Sequence, residues 1–373
     1  FMNKYLTSQI ITYMGNKRKL LDHISNVIEI IKKELNQEDN LVIADAFSGS
    51  GIVSRLLKLK SKALYVNDIS GYSFTLNQCF LSNPTKEDLV NIKTLIDKAN
   101  KFAYSSGDKG APKWIRRHWA PSGEITKDDR VYFTEKNGLL IDKYMYFIKT
   151  HDYPKKYECF LLAQLLVKCS IHNNTSGHFS AFYKDENGVG KYGGKKEIDL
   201  KRITTDIKLE MPVLMPNTCN AIVSRLDVLD WLDTLPPVDI IYLDPPYNKH
   251  PYSVYYFILD IINDWDISKE IPNTNRGQPK DWKRSDYNSV INAEKSFTKL
   301  IKKVQAKYIV LSYNNKGIIP ITNLEKILEK RGTVYRYPVE HKTYNKLKGI
   351  ANYKRTNSYE DVKEYIWMVH VTK

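Results

Sequence analysis

The chain has 373 residues, 42% of them hydrophobic and 27% charged, and it carries a formal net charge of +15 at pH 7. This composition excludes a disordered chain, and the four scattered cysteines exclude a disulfide-stabilised small domain and show no metal-ligand spacing, so no metal is expected. No apolar run approaches the length of a membrane span and the amino end shows no signal-peptide pattern, so a cytoplasmic protein is expected. The positive charge predicts a polyanionic partner, most simply nucleic acid, although a lysine-rich genome would produce the same bias.

The first predicted helix follows Tyr13-Met14-Gly15-Asn16-Lys17 and runs to about Lys33. Apolar residues recur at helical spacing along it, and Gly15 and Asn16 suit the turn that leads into it. Lys17 falls in the first turn, where the helix dipole disfavours a cation. This lysine is therefore either solvated or directed at an anion.

A glycine turn after the first predicted strand indicates a cofactor site. The strand Leu41 to Asp45 is followed by Ala46-Phe47-Ser48-Gly49-Ser50-Gly51, and helical spacing resumes at Ile52. A strand, a glycine turn and a helix amino end together direct backbone N–H groups at a nucleotide-type ligand. The G-x-G-x-x-G spacing is absent, which disfavours a dinucleotide-dependent dehydrogenase.

An acid follows the second predicted strand, Ala63 to Val66. Asp68 is placed either to bind ribose hydroxyls or to cap the helix that begins after Ser70. A further strand, Thr218 to Val223, ends near Asp227 and Val228.

The alternation of strands and helices stops between about Ser82 and Lys208. Helices are predicted from Lys136 to Lys149 and from Lys155 to Ser170, and around them lie two basic, aromatic loops, Lys113–Trp119 and Lys184–Arg202. Such loops suit phosphate contact and base stacking, although an ordinary solvated surface has the same composition. The candidate DNA contacts in this region are Lys113, Arg116, Arg117, Lys184, Lys195 and Lys196.

The motif Asp244-Pro245-Pro246-Tyr247 follows the apolar strand Val238 to Leu243. Prolines cannot continue a strand, so the chain leaves the sheet at its carboxyl end, where open α/β sheets bind ligands. Asp244 and the Pro245 carbonyl can accept both hydrogens of an exocyclic amine, which favours a pyramidal nitrogen with a free lone pair. Tyr247 is expected to present an exposed ring on which a flipped base stacks.

The remaining elements complete the sheet. A mobile loop is expected from His250 to Tyr256 and an irregular basic stretch, with Arg284 as a further DNA contact, from Pro272 to Tyr287. The other predicted elements are helices Phe257–Trp265, Asn288–Gln305 and Leu324–Lys330, the strand Tyr308–Leu311, and a terminal hairpin of Thr333–Tyr337 with Glu364–Val371.

Taken in order, these motifs resemble the Dam-like, alpha-group N6-adenine DNA methyltransferases, particularly modification enzymes of the FokI type. The resemblance rests on Tyr13 to Lys17, Asp45 to Gly51, Asp68, the insert, and Asp244 to Tyr247, and extends to Asn174–Phe179 and Ser312–Asn315. It implies an α/β, Rossmann-like S-adenosylmethionine-dependent methyltransferase fold, a mixed sheet with a C-terminal antiparallel hairpin and an inserted, largely helical target-recognition domain. The implied division is 1–81 and 210–373 for the catalytic domain and 82–209 for the insert.

The resemblance also implies roles for individual residues. Tyr13, Gly15, Asn16 and Lys17 would bind the methionine end of the cofactor, with the Lys17 charge on its carboxylate. Asp45, Phe47, Ser48, Gly49 and Gly51 would line the cofactor, Asp68 would bind its ribose, and Asp227 and Val228 its adenine. Asp244, Pro245, Pro246 and Tyr247 would hold the flipped base, with Asp244 also near the cofactor and Asn248 beside the DNA.

The implied partners are S-adenosyl-L-methionine, double-stranded DNA and a cognate restriction endonuclease, for a monomer of bacterial or phage origin. Three acceptors stay open: adenine in RNA, cytosine N4 in DNA, where Ser more often stands at position 244, and the glutamine of release factors, where Asn does. A non-catalytic DNA-binding subunit on the same scaffold is the alternative from another class.

Overall fold

The computed structural model describes residues 2–37, 40–194, 199–281, 285–340 and 362–372, and one mixed sheet organises them. Within those residues seven strands pair in the order β3-β2-β1-β4-β5-β7-β6. The strands are β1 Val42–Asp45, β2 Ala63–Asn67, β3 Asn220–Ser224, β4 Val238–Leu243, β5 Ala306–Asn314, β6 Gly332–Glu340 and β7 Lys363–Val371. Strands β1 to β5 are parallel, and β7 enters antiparallel between β5 and β6. The expected mixed sheet with a C-terminal antiparallel hairpin is confirmed.

Helices cover both faces of this sheet and form a separate helical region between β2 and β3. The helices that alternate with strands are α2 Leu21–Glu34, α3 Ile52–Lys58, α4 Gly71–Phe80, α10 Val228–Thr234, α13 Ala293–Lys303 and α14 Ile321–Glu329. The others are α1 Met2–Thr7, α5 Lys86–Ala103, α6 Trp114–Trp119, α7 Glu135–Thr150, α8 Glu158–Ile171, α9 Leu200–Thr204, α11 Tyr252–Tyr255 and α12 Phe257–Asp264.

The strand that precedes Asp244 lies in the middle of the sheet. All six residues of β4 are buried between β1 and β5, as its mainly apolar sequence predicts for a strand covered on both faces, and the exception, Asp239, accepts from Val42 N–H at 2.9 Å. Two prolines then prevent further pairing, so Asp244 stands at the carboxyl edge of the parallel strands. Asp244 therefore lies at the same edge of the sheet as the glycine turn after β1.

Three apolar cores hold the layers together. One packs α2 and α3 on one face of the sheet, and a second packs α13 and α14 on the opposite face. The third joins α5, α7 and α8 to α4 and α12, so the helical region has a core of its own that continues onto the sheet domain.

The segment 113–119 is a short helix, and the prediction of a loop was wrong there. Asp142 accepts hydrogen bonds from the backbone N–H groups of Trp114, Ile115 and Arg116, which satisfies the free amino end of α6. Both tryptophans, Trp114 and Trp119, are then buried in the helical core and are not stacking surfaces. An acid 28 residues away in sequence caps this helix, and no local signal shows it.

Other departures concern boundaries and one omitted helix. The sequence pattern did not separate α5, an 18-residue helix whose start is secured by a capping box of Thr85 and Asp88. Helix α13 begins at Ala293 rather than Asn288, after a single turn at 286–288. Among the described residues, no helix is both long enough and apolar enough to cross a membrane.

Candidate functional site

A cavity of about 240 Å³ opens at the carboxyl edge of β1, β2 and β4. Most of the residues predicted for the site line it: Tyr13, Gly15, Asn16, Lys17, Asp45, Phe47, Ser48, Gly49, Asp68, Asp227, Val228, Asp244 and Pro246. Gly51, Pro245 and Tyr247 are not part of its lining. The topology therefore gathers in one place residues that lie more than 200 positions apart in sequence.

The glycine turn and Asp68 form one wall of this cavity. The backbone N–H of Gly49 donates to Asp68 Oδ2 at 2.8 Å, and Ser70 N–H donates to Asp68 Oδ1 at 2.9 Å. Burial raises the pKa of Asp68 above its ordinary value, and these hydrogen bonds oppose that shift. The carboxylate thus ties the glycine turn to the residue before α4, and it does not cap the helix, because Ser70 is the N-cap residue and the helix has no side-chain cap.

Gly49 allows the ring of Tyr13 to lie against the turn. Its φ is +51°, and a Cβ there would stand 2.8 Å from the Tyr13 ring. Tyr13 in turn stacks on Tyr252 and Tyr256, with ring centroids 5.1 and 5.0 Å apart. The backbone of Met14 donates to the Tyr256 hydroxyl at 2.8 Å. These contacts close one side of the cavity with aromatic rings.

The segment His250 to Tyr256, expected to be a mobile loop, contains the helical turn α11 and is packed against the site. Tyr256 is buried, and the carbonyl of Tyr255 accepts from Phe179 N–H of the helical region at 2.7 Å. Tyr252, Pro251 and Ser253 line the cavity. The sequence pattern missed them because aromatic rings spaced through a loop carry no periodic signal.

Gly51 begins α3 in a left-handed conformation, and its replacement provides a first testable prediction. We expect Gly51→Ala to lower the free energy of unfolding by about 1–3 kcal/mol, because φ is +77° and the new Cβ would lie 2.5 Å from Asn77 Oδ1. Urea denaturation of the variant and the wild type measures this difference in the free energy of unfolding. Gly188→Ala is the matched control, since its φ is +79° with open space around it. Equal losses in the two variants would show that the contact with Asn77 contributes nothing.

Asp45 lies beneath the glycine turn at the end of β1. Its side chain is fully buried, and Ser54 Oγ donates to its Oδ2 at 2.5 Å. Its other oxygen, Oδ1, has no hydrogen-bond partner among the described residues, and burial raises the pKa of Asp45 to about 7. Asp45 is thus a buried acid that supports the glycine turn from beneath, with Ser54 and the backbone of Phe47 opposing the rise of its pKa.

Asp244 and Lys17 form a buried ion pair at the centre of the site. Lys17 Nζ lies 3.1 Å from Asp244 Oδ1 and 3.7 Å from Glu364 Oε2, and the lysine is 2% exposed. Burial raises the pKa of Asp244 to about 6, with Glu364 acting in the same direction and Lys17 opposing. Burial disfavours the charge of Lys17, but Asp244, Tyr247 and Glu364 together outweigh it and raise the pKa of the lysine well above its ordinary value.

Tyr247 is buried rather than exposed, which corrects the expectation for its ring. It is 6% exposed, its ring meets the ring of Tyr313 edge-on at 5.7 Å, and Lys17 Nζ lies 4.9 Å from its centroid. The backbone following Pro246 turns the side chain back onto the sheet, where the carbonyl of Tyr247 accepts from Ile318 N–H. The ring supports the ion pair from below the cavity.

The far end of the cavity carries Asp227 and Val228. Asp227 is exposed and its side chain accepts from Leu229 N–H at 2.9 Å, so it caps α10. Tyr287 and Phe47 meet edge-on at 5.4 Å beside it and complete an apolar end. Tyr287 was not anticipated, because it lies in a stretch that the sequence indicated only as irregular.

The predicted DNA-contacting residues differ in how far they are free to bind. Lys113 pairs with Asp108 at 3.2 Å, and Arg116 pairs with Glu135 at 2.7 Å. Arg117 and Lys184 are exposed, and Lys184 lies over the Phe182 ring at 4.8 Å. Asn248 is exposed, and its carbonyl accepts from Asn288 Nδ2. Lys195, Lys196 and Arg284 lie outside the described residues.

The described part of the chain contains no group of three His, Cys, Asp or Glu residues that could hold a metal ion. The cavity is thus built from carboxylates, backbone donors and aromatic rings. A further residue beside the site was not anticipated: Glu364, at the start of β7, whose carboxylate faces Lys17.

Comparison with known proteins agrees with this geometry. A family model for D12 class N6 adenine-specific DNA methyltransferases matches residues 13–327. Type II methyltransferase M.CviAII of Paramecium bursaria Chlorella virus 1 is 28% identical over 97% of this chain and 98% of its own length. M.NlaIII of Neisseria lactamica is 25% identical over 96% and 99%, and M.FokI of Planomicrobium okeanokoites is 27% identical over 96% of this chain but 52% of its own length.

Proposed function

This chain belongs to the D12 class of N6 adenine-specific DNA methyltransferases, and from that premise we propose that its cavity binds S-adenosyl-L-methionine beside an adenine turned out of the DNA duplex. The reaction is transfer of a methyl group to the N6 amine of adenine in DNA. The observation that carries the site assignment is the meeting of Asp244 and the glycine turn in one cavity.

The residues of the cavity fit the cofactor. A Cβ at Gly49 would fill the space taken by Tyr13, so this stretch of backbone can approach a ligand closely only as glycine. Asp68 would accept from ribose hydroxyls, Asp227 and Val228 would flank the adenine ring, and Asp45 would support the glycine turn beside the cofactor. When bound, S-adenosylmethionine supplies an electrophilic methyl group on its sulfonium.

Asp244 and Pro245 would hold the amine of the target adenine. A carboxylate and a carbonyl whose own residue lacks an N–H are both acceptors, which matches an amine that presents two hydrogens. Asp244 lines the cavity, and the charge of Lys17 beside it favours the carboxylate form, whereas burial raises the pKa of this group to about 6. Tyr247 would support the base site from behind its lining, because its buried ring packs against Lys17 and Tyr313.

The position of Lys17 favours a role at the amine end of the site. Its ammonium already faces two protein carboxylates, Asp244 and Glu364, and a third carboxylate from the cofactor would add negative charge to a buried cluster. We therefore propose that Lys17 fixes and neutralises Asp244, in place of the expected contact with the methionine carboxylate.

Residues 82–209 are proposed as the target-recognition insert, with the exposed cations on the DNA backbone. We expect Arg117→Ala to reduce the slope of log binding constant against log salt concentration by about 0.9, because one phosphate contact is lost. A duplex titration at several salt concentrations measures this. Arg116→Ala is the comparison and should change the slope less, because Arg116 is paired with Glu135. An unchanged slope for Arg117→Ala would place the DNA elsewhere.

We also propose a partner enzyme, an oligomeric state and a cellular location for this methyltransferase. The relatives M.CviAII, M.NlaIII and M.FokI are named as type II methyltransferases, which supports a cognate restriction endonuclease that reads the same site. A monomer acting in the cytoplasm is also proposed, because a single copy of the chain can embrace one asymmetric DNA site.

The test of the proposed function is direct. The protein is incubated with unmethylated duplex DNA and S-adenosylmethionine labelled in its methyl group, and the DNA is digested to nucleosides for mass spectrometry. Label in N6-methyladenine supports the assignment of acceptor and donor together. Label in N4-methylcytosine, or label only when RNA replaces DNA, would overturn the assigned base site.

A further inference from the structure

Glu364 approaches the reacting groups from behind the cavity. It stands at the start of β7, where its backbone is paired with Asn314 of β5 and Val339 of β6. Its side chain is 15% exposed, and the described residues offer Oε2 no hydrogen-bond donor. The charge that faces this oxygen is Lys17 Nζ at 3.7 Å. Glu364 does not line the cavity and lies beyond the residues that match the family model.

We propose that Glu364 is a positioning residue for methyl transfer, which divides the charge of Lys17 between two carboxylates and so leaves the oxygens of Asp244 available to the amine of adenine. This inference rests on the role proposed for Asp244.

The ammonium of Lys17 and the amine of the target adenine compete for the oxygens of Asp244. A lone buried lysine beside a lone buried aspartate forms a tight pair, and the ammonium then occupies the acceptor positions that the adenine amine needs. Glu364 offers Lys17 a second carboxylate at 3.7 Å, beside Asp244 Oδ1 at 3.1 Å, so the charge of the ammonium is shared although Asp244 is its nearer partner. The cation still neutralises the pocket, and Asp244 keeps acceptor capacity for the substrate.

The charge balance of the cluster follows from the same geometry. One lysine faces two carboxylates, so the negative charge of Glu364 raises the pKa of Asp244. The other titratable groups coupled to Asp244 are Asp45 on β1, whose pKa burial raises to about 7, and three tyrosines whose pKa values burial raises, Tyr242 on β4, Tyr247 after β4 and Tyr252 on α11. Removal of the Glu364 charge must therefore lower the pKa of Asp244.

The experiment compares Glu364→Gln, which keeps the shape and removes the charge, with Glu364→Asp, which keeps the charge. Steady-state methylation of duplex DNA is measured with each variant from pH 5 to pH 9, together with the KM for S-adenosylmethionine. We expect Glu364→Gln to lower kcat by roughly 10- to 100-fold, to leave that KM unchanged within about threefold, and to move the acid limb of the pH profile to lower pH. Glu364→Asp is expected to keep the acid limb of the wild type and to recover part of kcat.

A matched control is Glu329→Gln, which removes the same charge from an exposed position on α14 and should behave as the wild type. The proposal would be overturned if Glu364→Gln kept the kcat and the pH profile of the wild type. It would also be overturned if Glu364→Gln lost the same fraction of kcat at every pH and Glu364→Asp recovered none of it. If Glu364→Gln does not fold, Glu364→Asp provides the test. A shift of the acid limb in its pH profile, relative to the wild type, would overturn the proposal. The role of Asp244 fails separately, if Asp244→Ala retains turnover.

Discussion

Replacement of Asp244 by alanine is expected to lower kcat by roughly 10³-fold, while the protein remains folded and continues to bind S-adenosylmethionine. The carboxylate stands at the edge of β4 in the cavity, where the proposed function gives it the amine of the target adenine. The fold should survive because Lys17 retains Glu364 as a counter-charge at 3.7 Å, so no buried ammonium is left unpaired. Labelled methyl transfer and calorimetric titration with the cofactor measure the two quantities separately.

Two further variants sharpen this prediction. Asp244→Asn keeps the size of the side chain and one acceptor oxygen, but it loses the negative charge and replaces the second oxygen by an N–H₂ donor, so its turnover should lie between that of the alanine variant and a tenth of the wild type. Asp230→Ala removes an exposed acid from α10 and is expected to leave kcat within about twofold of the wild type, as surface changes usually do. Turnover above a tenth of wild type in Asp244→Asn would remove Asp244 from the proposed mechanism.

The parts of the site that the sequence predicted are those with local signals. The glycine turn follows a buried strand directly, and the prolines after Asp244 show by themselves where β4 must end. Strand and turn are adjacent in sequence, so the position of each at the carboxyl edge follows from the parallel sheet alone. The same reasoning placed Asp68 in the wall beside Gly49, where the 2.8 Å hydrogen bond joins them.

The parts that were missed depend on long-range pairing. Glu364 reaches Lys17 because β7 inserts between β5 and β6 in a register that sets Asn314 opposite Glu364, and no local pattern specifies that register. The burial of Tyr247 depends on Tyr313 in the same way. Composition alone also gave a wrong prediction for the basic, aromatic segment 113–119. Trp114 and Trp119 pack in the helical core and do not form a stacking surface.

Replacement of Lys17 by methionine is expected to lower the free energy of unfolding by about 3–5 kcal/mol at pH 8 and to move the acid limb of activity to higher pH. The substitution keeps the length of the side chain but leaves Asp244 and Glu364 facing each other without a cation. The pKa of Asp244, already raised to about 6 in the folded protein, must then rise further. A folded-state pKa above the unfolded value confers stability that is present at low pH and is lost as the pH rises through the folded pKa. The loss should therefore be small at pH 5 and large at pH 8 in urea denaturation.

A second substitution is expected to restore part of the stability that Lys17→Met loses. Lys17→Met combined with Glu364→Gln leaves Asp244 as the one carboxylate of the original pair, so mutual repulsion is removed and part of the stability at pH 8 should return. Lys19→Met, two residues along the same turn and exposed, is the matched control and should alter neither stability nor the pH profile. If the single and double variants lose equal stability at pH 8, the two carboxylates do not share Lys17. If they differ as expected, the charge of one buried lysine, held between β4 and β7, governs both the stability of the site and the pH at which Asp244 can accept the adenine amine.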